Sequence, residues 1–361
     1  MRKIINLLNK TSFLLKRKGC SACFERILLV SNTALGDTIL STPAIKSLRK
    51  SYPDIYIVLM VNKKYISFFK NFEYVDEVVI FNKSLFGLLK HSFLLRIKKI
   101  DTIFFLHSNG PQDLFLALFS GACNILKAIN YPGRVSEEFS RLMLNKVDYE
   151  HKKHIVEHRL DLVRHFNPNI IDKTLSIPSK FIKDNLIKNS NTIALQLSAA
   201  DLYKVWPLDS FIQLMNKIFL DLKGNCNIVL LGVATEVALS KEFENKFKFK
   251  DKVKNLCGKT QLEQLPSILQ RVGLLITNDT GTLHLAIAVG TPTISLFSPT
   301  EPEVFGPYQD LNIHKILHKN GFFINTQPKK KRTQEAMSLI TVNEVFGIYK
   351  EMKREGVICV E

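Results

Sequence analysis

The 361-residue chain lacks the features that mark membrane-spanning or secreted proteins. Its apolar runs all fall short of the roughly 18 consecutive residues of a membrane-spanning helix. Near the start, Lys10 and the run Lys16, Arg17 and Lys18 break the apolar core that a signal peptide needs. We therefore expect a cytoplasmic protein.

Metal-binding patterns are also scarce. Cys20 and Cys23 form a lone C-x-x-C pair among six scattered cysteines, without the further ligands of a structural zinc site. We expect all six cysteines to be reduced thiols. Residues 154–158 match the H-x-x-E-H of inverse zinc peptidases, within a helix predicted over residues 151–165. By spacing, four histidines share one face of that helix: His151, His154, His158 and His165. A match this short arises easily by chance, so we favour an amphipathic helix and predict no metal and no cofactor.

Three other protein classes lack their motifs. No G-x-G-x-x-G follows the first apolar strand at 27–30, which argues against a dinucleotide-dependent dehydrogenase. Asp279-Thr280-Gly281 is the triplet of aspartic proteases, but the second triplet that their paired carboxylates require is absent. Nucleic-acid-binding motifs are missing too. The excess of 50 Lys and Arg over 33 Asp and Glu therefore favours another polyanion, such as anionic lipid or a phosphorylated glycan.

The sequence does contain a regular alternation of short apolar runs and helical patterns. Such alternation predicts α/β units whose parallel sheets are covered by helices on both faces. Strands are predicted on either side of a proline-containing linker at 166–191: 27–30, 55–61, 78–81, 102–106 and 125–129, then 192–197, 228–231, 274–277 and 293–296. The expected divisions are a basic amphipathic extension at 1–24, Rossmann-like domains at 25–170 and 190–330, and a closing helix within 335–361.

The extension at 1–24 has the pattern of an imperfect amphipathic helix. Ile4, Leu8 and Leu15 lie on one side, and Lys3 and Arg17 belong to a basic edge. Such a helix either lies in a membrane interface or docks on its own protein. The sequence leaves both interpretations open.

Residues 273–292 combine a buried strand, a turn and a helix that stops at Gly290. The turn, Asn278-Asp279-Thr280-Gly281, is followed at once by apolar residues at helical spacing. The start of such a helix offers free N–H groups and the positive end of its dipole, which together bind phosphate. In the alternative interpretation, Asp279 is only an N-cap and His284 only a packed helical residue.

Four stretches resemble glycosyltransferase family nine, the ADP-heptose:lipopolysaccharide heptosyltransferases. They are residues 33–44, Lys204-Val205-Trp206-Pro207, Gly232 with Glu236, and residues 278–284. The resemblance implies the GT-B fold, in which two Rossmann-like domains face each other across a cleft. It also implies that residues 25–170 bind the acceptor and residues 190–330 bind the nucleotide sugar.

The resemblance assigns roles to seven donor-site residues. The backbone of Thr280 and Gly281 would contact the pyrophosphate, and Lys204 would place a charge on the leaving diphosphate. Glu236 would accept hydrogen bonds from the ribose. The remaining donor-site residues are Asp279, His284 and Ser198. Trp206 is interpreted as a core aromatic.

Asp37 is the predicted general base, in an acceptor loop that includes Thr33 and Gly36. By resemblance, it would take the proton of the acceptor hydroxyl as that oxygen attacks the anomeric carbon with inversion. The alternative is an aspartate that only favours the first turn of a helix.

The resemblance predicts an enzyme that transfers heptose from ADP-heptose to a Kdo-bearing lipopolysaccharide core. The acceptor would be an anionic glycolipid at the inner face of the cytoplasmic membrane. One departure is Ala200, where the family usually has Ser or Thr. Alternatives are the same fold with another nucleotide sugar, and a non-catalytic homologue that binds nucleotide or polyanion.

Overall fold

Each half of the chain builds one six-stranded parallel sheet. The computed structural model describes residues 24–82, 84–108, 111–129, 145–148, 150–183, 189–320 and 332–358. The chain divides into two units, residues 1–178 and 179–361, with one sheet in each. The helix predicted in the extension lies outside the described residues, which begin at Phe24.

The sheet of the first unit has the strand order β3-β2-β1-β4-β5-β6. Its strands are β1 (Arg26–Ser31), β2 (Tyr56–Val61), β3 (Glu77–Ile80), β4 (Thr102–His107), β5 (Asn124–Ile129) and β6 (Asn145–Asp148). The central strand β1 pairs in parallel with β2 on one side and with β4 on the other. The chain therefore changes direction across the sheet at the carboxyl ends of β1 and β4, where open α/β sheets bind ligands.

In the described residues of the first unit, five helices connect or cover these strands. They are α1 (Leu35–Ser51), α2 (Ile66–Phe69), α3 (Leu85–Ile97), α4 (Pro111–Ser120) and α5 (Ile155–Arg164). Helices α3 and α4 pack against one another, as do α1 and α5. Apolar side chains from α3 and α4 join those of β1 and β4 in one buried cluster.

Helix α1, which carries Asp37 in its first turn, contains Pro43 well inside its length. Proline has no N–H, so the carbonyl of Ile39 loses its usual helical partner. The hydroxyl of Thr42 donates to that carbonyl instead, at 2.6 Å. The same hydroxyl oxygen accepts from the N–H of Ser176 at 2.9 Å, which ties the helix to the chain beyond α5.

We expect Thr42→Val to destabilise the first unit. The substitution keeps the volume but leaves the buried carbonyl of Ile39 and the partly buried N–H of Ser176 without their partner, at a cost of about 1–3 kcal/mol in the free energy of unfolding. Urea denaturation measures this cost. Thr42→Ser keeps the hydroxyl, so its free energy of unfolding should fall clearly less. Equal decreases in the two variants would contradict this role of the hydroxyl.

The predicted helix over residues 151–165 is too long. Helix α5 begins only at Ile155, because the ring of His154 accepts the N–H of Val156 at 3.2 Å and caps the helix from outside. His151 and His154 therefore do not share a helical face with His158, which is buried and contacts the carbonyl of Glu150. Over the described residues, no three His, Cys, Asp or Glu side chains are grouped as a metal site would need.

The expectation that all six cysteines are reduced is wrong, because each disulfide takes two of them. Cys123 is disulfide-bonded, so its sulfur is not a thiol. Cys226 and Cys257 are free and buried. Burial raises the pKa of the Cys226 thiol to about 12, so this thiol is inert at neutral pH.

The second unit repeats the topology of the first, with the strand order β12-β11-β10-β7-β8-β9. Its strands are β7 (Asn189–Gln196), β8 (Asn227–Leu231), β9 (Val253–Asn255), β10 (Val272–Asn278), β11 (Thr293–Phe297) and β12 (His314–His318). Its helices are α6 (Leu208–Asp221), α7 (Val237–Lys246), α8 (Leu265–Leu269), α9 (Gly281–Ala288), α10 (Pro302–Phe305), α11 (Glu335–Ser338) and α12 (Val342–Arg354). Here β7 and β10 occupy the places that β1 and β4 hold in the first sheet.

The closing segment belongs to the core of the second unit. Val345, Tyr349 and Met352 of α12 are fully buried. The indole of Trp206 donates to the carbonyl of Ile340 at 2.8 Å, so the interpretation of Trp206 as a core aromatic is confirmed. Across the described part of the chain, every helix is too short or too polar to span a membrane.

Candidate active-site residues

Asp37 lies where β1 passes through a short turn into α1. Its Oδ2 accepts the hydroxyl of Thr33 at 2.7 Å and the N–H of Ala34 at 3.3 Å. The contact with Ala34 satisfies a backbone group at the helix start, so the carboxylate does have the local structural role of the alternative interpretation. Gly36 is buried beside it in the same turn.

Two further side chains approach Asp37, and the sequence analysis missed both. His107 ends β4, and its Nδ1 lies 3.4 Å from Asp37 Oδ2. Arg159 of α5 is buried, with one guanidinium nitrogen 3.8 Å from Asp37 Oδ1 and Nε donating to the carbonyl of Leu106. A histidine at the end of an apolar strand and an arginine on the buried face of a helix were the available signals.

Hydrogen-bond accounting fixes the tautomer of His107. The hydroxyl of Thr33 has one proton, which it donates to Asp37. Thr33 also contacts His107 Nδ1 at 2.6 Å, so Nδ1 must carry the proton of that second hydrogen bond. The result is a directed chain in which His107 donates to Thr33 and Thr33 donates to Asp37.

The surroundings lower the pKa values of both Asp37 and His107. Burial raises the pKa of Asp37, but His107, Arg159 and the hydrogen bonds from Thr33 and Ala34 outweigh this effect and lower it below the ordinary value. Burial lowers the pKa of His107 to about 4, with Arg159 and Lys127 acting in the same direction against Asp37. Asp37 is therefore ionised and His107 neutral.

The pKa of His107 makes the stability of the first unit depend on pH. The histidine gains its proton near pH 6.5 in the unfolded chain and near pH 4 in the folded one. Its contribution to the stability of the first unit is therefore fully present above pH 6.5 and is lost as the pH falls toward 4. The loss is on the order of 3 kcal/mol. His107→Gln keeps a donor for Thr33 but does not titrate, so we expect its stability to fall less over this range. Urea denaturation at each pH measures the difference, and parallel curves for the two proteins would refute it.

In the second unit, Asn278 joins the loops that follow β7 and β10. Its side-chain oxygen accepts the N–H of Trp206 at 3.0 Å. Its amide nitrogen donates to the carbonyls of Gln196 and Leu197 at 3.3 and 3.2 Å. Because Asn278 is fully buried, these bonds hold the turn after β10 against the loop that carries Lys204.

Lys204 and Asp279, from these two loops, form an ion pair with Nζ and Oδ2 at 2.6 Å. Burial lowers the pKa of Lys204, but Asp279 outweighs it and the pKa is raised overall, so the ammonium stays charged. The interpretation of Asp279 as an N-cap is wrong, because Thr280 holds that position with extended backbone angles. Asp279 is thus directed to Lys204 rather than to the helix start.

The start of α9 directly follows the turn after β10, as the sequence predicted, and phosphate binding there stays a prediction. The first turn includes Gly281 and Thr282, whose N–H groups precede the first intrahelical bond, from Leu283 to the carbonyl of Thr280. The hydroxyl of Thr280 lies 3.2 Å from that of Thr277. His284 is buried in the same helix.

Gln196 connects Glu236 to this helix start, and the sequence analysis missed it. Its side-chain nitrogen donates to Glu236 Oε2 at 3.0 Å, and its side-chain oxygen accepts the hydroxyl of Thr282 at 3.2 Å. Glu236 Oε2 also accepts the N–H of Val233 at 3.1 Å. A Cβ at position 232 would lie 2.4 Å from Glu236 Oε2, so a larger residue there would displace this carboxylate.

Ser198 is placed on the loop after β7, between Gln196 and Lys204. Its hydroxyl donates to the neighbouring carbonyl of Ala199 at 3.4 Å. Ala200 is exposed one residue further along. The structure therefore brings five of the seven predicted donor-site residues and Gln196 to one edge of the sheet through side-chain or helix-start contacts. His284 is placed there by its position in α9, and Ser198 by its loop.

Residues 111–336 match the model of glycosyltransferase family 9 (heptosyltransferase). The chain belongs to this family. Lipooligosaccharide heptosyltransferase 2 of Campylobacter jejuni is 27% identical over 304 residues, which cover 81% of this chain and 86% of the relative.

Two solved structures share the fold. A glycosyl transferase family 9 protein from Veillonella parvula superposes with a TM-score of 0.74 at 22% identity, over 92% of this chain and 98% of that one. E. coli ADP-heptose LPS heptosyltransferase II superposes with a TM-score of 0.72 at 18% identity, over 92% of this chain and 99% of that one. The predicted α/β, GT-B fold class is confirmed, as is the prediction that the family-9 protein is a glycosyltransferase. Asp37 lies before the matched residues, so its catalytic role stays a prediction.

Proposed function

We propose that this family-9 protein is an inverting heptosyltransferase that moves heptose from ADP-heptose to a lipopolysaccharide core acceptor built on Kdo and lipid A. The observation that carries the proposal is the convergence of three separate donor motifs at one sheet edge, around the Lys204–Asp279 ion pair. The names of two relatives support this donor and this class of acceptor, since they mention ADP-heptose, LPS and lipooligosaccharide.

The second unit has the groups that a leaving nucleoside diphosphate needs. Lys204 stays protonated and can offset the charge that develops as the bond between the anomeric carbon and the phosphate oxygen breaks. The N–H groups of Gly281 and Thr282 add donors and the positive end of the helix dipole. Glu236, held by Gln196 and Val233, is assigned to the ribose hydroxyls. Asp279 and His284 are assigned to the sugar and phosphate.

The first unit has the base. The acceptor hydroxyl attacks the anomeric carbon from the face opposite the diphosphate, its proton passes to Asp37, and the electron pair of the broken bond leaves with ADP. Asp37 is ionised at neutral pH and therefore able to accept that proton. The bond from Thr33 holds one carboxylate oxygen and so orients the other. The low pKa of Asp37 suits an oxocarbenium-like transition state, where the hydroxyl becomes acidic late in the reaction.

The proposal includes the setting of the reaction. The acceptor is an anionic glycolipid, so the enzyme works as a peripheral protein at the inner face of the cytoplasmic membrane. The net charge of +17 favours such a surface. Nucleic acid is not proposed as a partner, and transfer requires no metal or other cofactor.

We expect Asp37→Asn to lower turnover by roughly 10²–10⁴-fold, because the amide keeps the shape but cannot accept the proton. The dissociation constant of ADP-heptose should change little, since the donor contacts are in the second unit. Single-turnover kinetics and donor titration measure the two quantities. Asp54→Asn, an exposed carboxylate just beyond α1, is the matched control. Wild-type turnover in Asp37→Asn would show that Asp37 is only a helix-start residue.

We expect Lys204→Gln to weaken ADP binding by roughly 10–100-fold, the share of a charge-assisted hydrogen bond to phosphate. Calorimetric titration with ADP measures this loss. Lys241→Gln, which removes an exposed lysine from α7, should bind ADP as the wild type does. Because Lys204→Gln leaves Asp279 unpaired, the double variant Lys204→Gln/Asp279→Asn separates lost binding from lost folding. Unchanged ADP affinity in both variants would remove Lys204 from the donor site.

Mass spectrometry of reactions with a panel of nucleotide sugars and core acceptors tests the function itself. The proposal expects transfer from ADP-heptose and an unchanged rate in EDTA. Transfer from another nucleotide sugar alone would keep the fold and change the substrate. Tight ADP-heptose binding without turnover on any acceptor would favour a non-catalytic homologue.

A further inference from the structure

Helix α3 presents apolar side chains to the outside of the first unit. Phe86, Phe93 and Ile97 are 78%, 64% and 60% exposed. Their spacing of seven and four residues places them on one side of the helix. With Leu89 and Leu94, which are also exposed, they make up the apolar face of α3. Surface helices normally direct polar side chains outward, so this face is unusual for a helix in water.

The opposite side of α3 already supplies the core. Leu88 and Leu95 are buried there and belong to the cluster that contains the side chains of the central strands. Ser92 is buried on the same side. The unit therefore folds around the inner side of α3, and the apolar face is an addition that its own core does not use.

Basic side chains flank the apolar face. Lys90 and Arg96 are exposed, and by helical spacing they flank all of the apolar face except Leu94, which lies beyond Lys90. Lys99 is exposed just beyond the helix. An apolar stripe between cations is the pattern of helices that lie in the interface of an anionic bilayer, with the stripe among the acyl chains and the cations among the headgroups. A helix of 13 residues gives such a contact a length of about 20 Å.

The start of α3 lies at the sheet edge that carries Asp37. Strand β3 ends at Ile80 and α3 begins at Leu85, so this helix starts at the carboxyl edge, as α1 does after β1. Only β2 separates β3 from β1, which is a lateral distance of roughly 10 Å. A bilayer against Phe86 therefore meets the first unit near the edge where the acceptor hydroxyl would react.

We propose that the apolar face of α3 docks the first unit on an anionic lipid bilayer, in an orientation that brings headgroup glycans to the Asp37 edge. The inference rests on the proposed function for its purpose, since a glycolipid acceptor is delivered from such a surface. Its physical basis, apolar exposure with complementary charge, is independent of which sugar is transferred.

The first experiment is co-sedimentation of the full-length protein with vesicles of phosphatidylethanolamine and phosphatidylglycerol. The variant Phe86→Ser/Phe93→Ser/Ile97→Ser should lower the partition coefficient by at least roughly tenfold, because it removes most of the inserting surface. The control Leu220→Ser/Leu311→Ser/Leu339→Ser removes three comparably exposed side chains of the second unit and should change it by less than about twofold. Lys90→Gln should weaken binding to these vesicles and leave binding to neutral phosphatidylcholine vesicles unchanged.

The second experiment reports insertion directly. The chain has one tryptophan, Trp206, and it is buried, so it gives a constant background. In Phe93→Trp, vesicles with brominated acyl chains should quench the added fluorescence and shift its emission to the blue. A Trp substituted at Leu220 should show neither change. Absence of quenching at position 93 would overturn the proposal, as would wild-type partition of the triple variant.

Two further outcomes would assign the face to another occupant and overturn the proposal. Loss of a dimer in the triple variant by sedimentation velocity, with vesicle binding intact, would make the face an interface between two copies. Loss of vesicle binding on deletion of residues 1–24, with the triple variant unaffected, would assign docking to the extension alone.

Kinetics separate this proposal from the proposed function. On lipid-free core oligosaccharide the triple variant should turn over as the wild type does, and on acceptor embedded in vesicles it should be slower by at least roughly tenfold. If neither protein transfers heptose while the triple variant still loses vesicle binding, the heptosyl assignment falls and the docking surface stands. If both transfer heptose equally well on vesicles, the docking surface falls and the heptosyl assignment stands.

Discussion

Both candidate sites depend on one property of parallel sheets, which is that every strand ends at the same edge. In each unit, the strand order reverses between two central neighbours, β1 and β4 in the first and β7 and β10 in the second. At that point the connecting helices diverge and the loops leave room for polar side chains. Asp37 and His107 follow the first pair, and Lys204 and Asp279 follow the second. Polar residues that are far apart in sequence therefore meet at one edge of each sheet.

Each site keeps a partly buried charge by pairing it with its opposite. Asp37 remains ionised because Arg159 and several donors offset the effect of burial on its pKa. Lys204 remains protonated because Asp279 does the same for it. An uncompensated charge at these positions would neutralise itself instead. Compensation is thus what keeps a base available in one unit and a cation available for phosphate in the other.

The sequence predicted what depends on short-range pattern and missed what depends on long-range pairing. Central strands were found because burial on both faces makes them continuous apolar runs. The edge strands β6, β9 and β12 were missed because pairing on one side alone leaves them short and rich in Asn, Lys and His. Helix α6 was overlooked. Helix α5 was predicted to begin too early, because apolar spacing does not reveal a capping side chain such as that of His154.

The same distinction applies to the sites. The turn at Asp279 and the helix start at Asp37 were visible because each is local, whereas Gln196, His107 and Arg159 act across the sheet. Strand pairing places Gln196 beside Thr277 and His107 beside Ser31, and the packing of α5 brings Arg159 to the same edge as His107. A one-dimensional pattern indicates which residues can do chemistry, but the fold decides which of them act together.

Helix α3 shows a second limit of predicting structure from the apolar pattern of a sequence. Its sequence is apolar nearly all round, and such a helix is ordinarily assigned to a core. Burial shows that only one side is used in this way. Phe86 and Phe93 cannot be explained by the folding of the first unit, because water is a poor solvent for them and the core is complete without them. On the docking proposal, contact with a bilayer explains the apolar face, and the cations beside it favour a negatively charged bilayer.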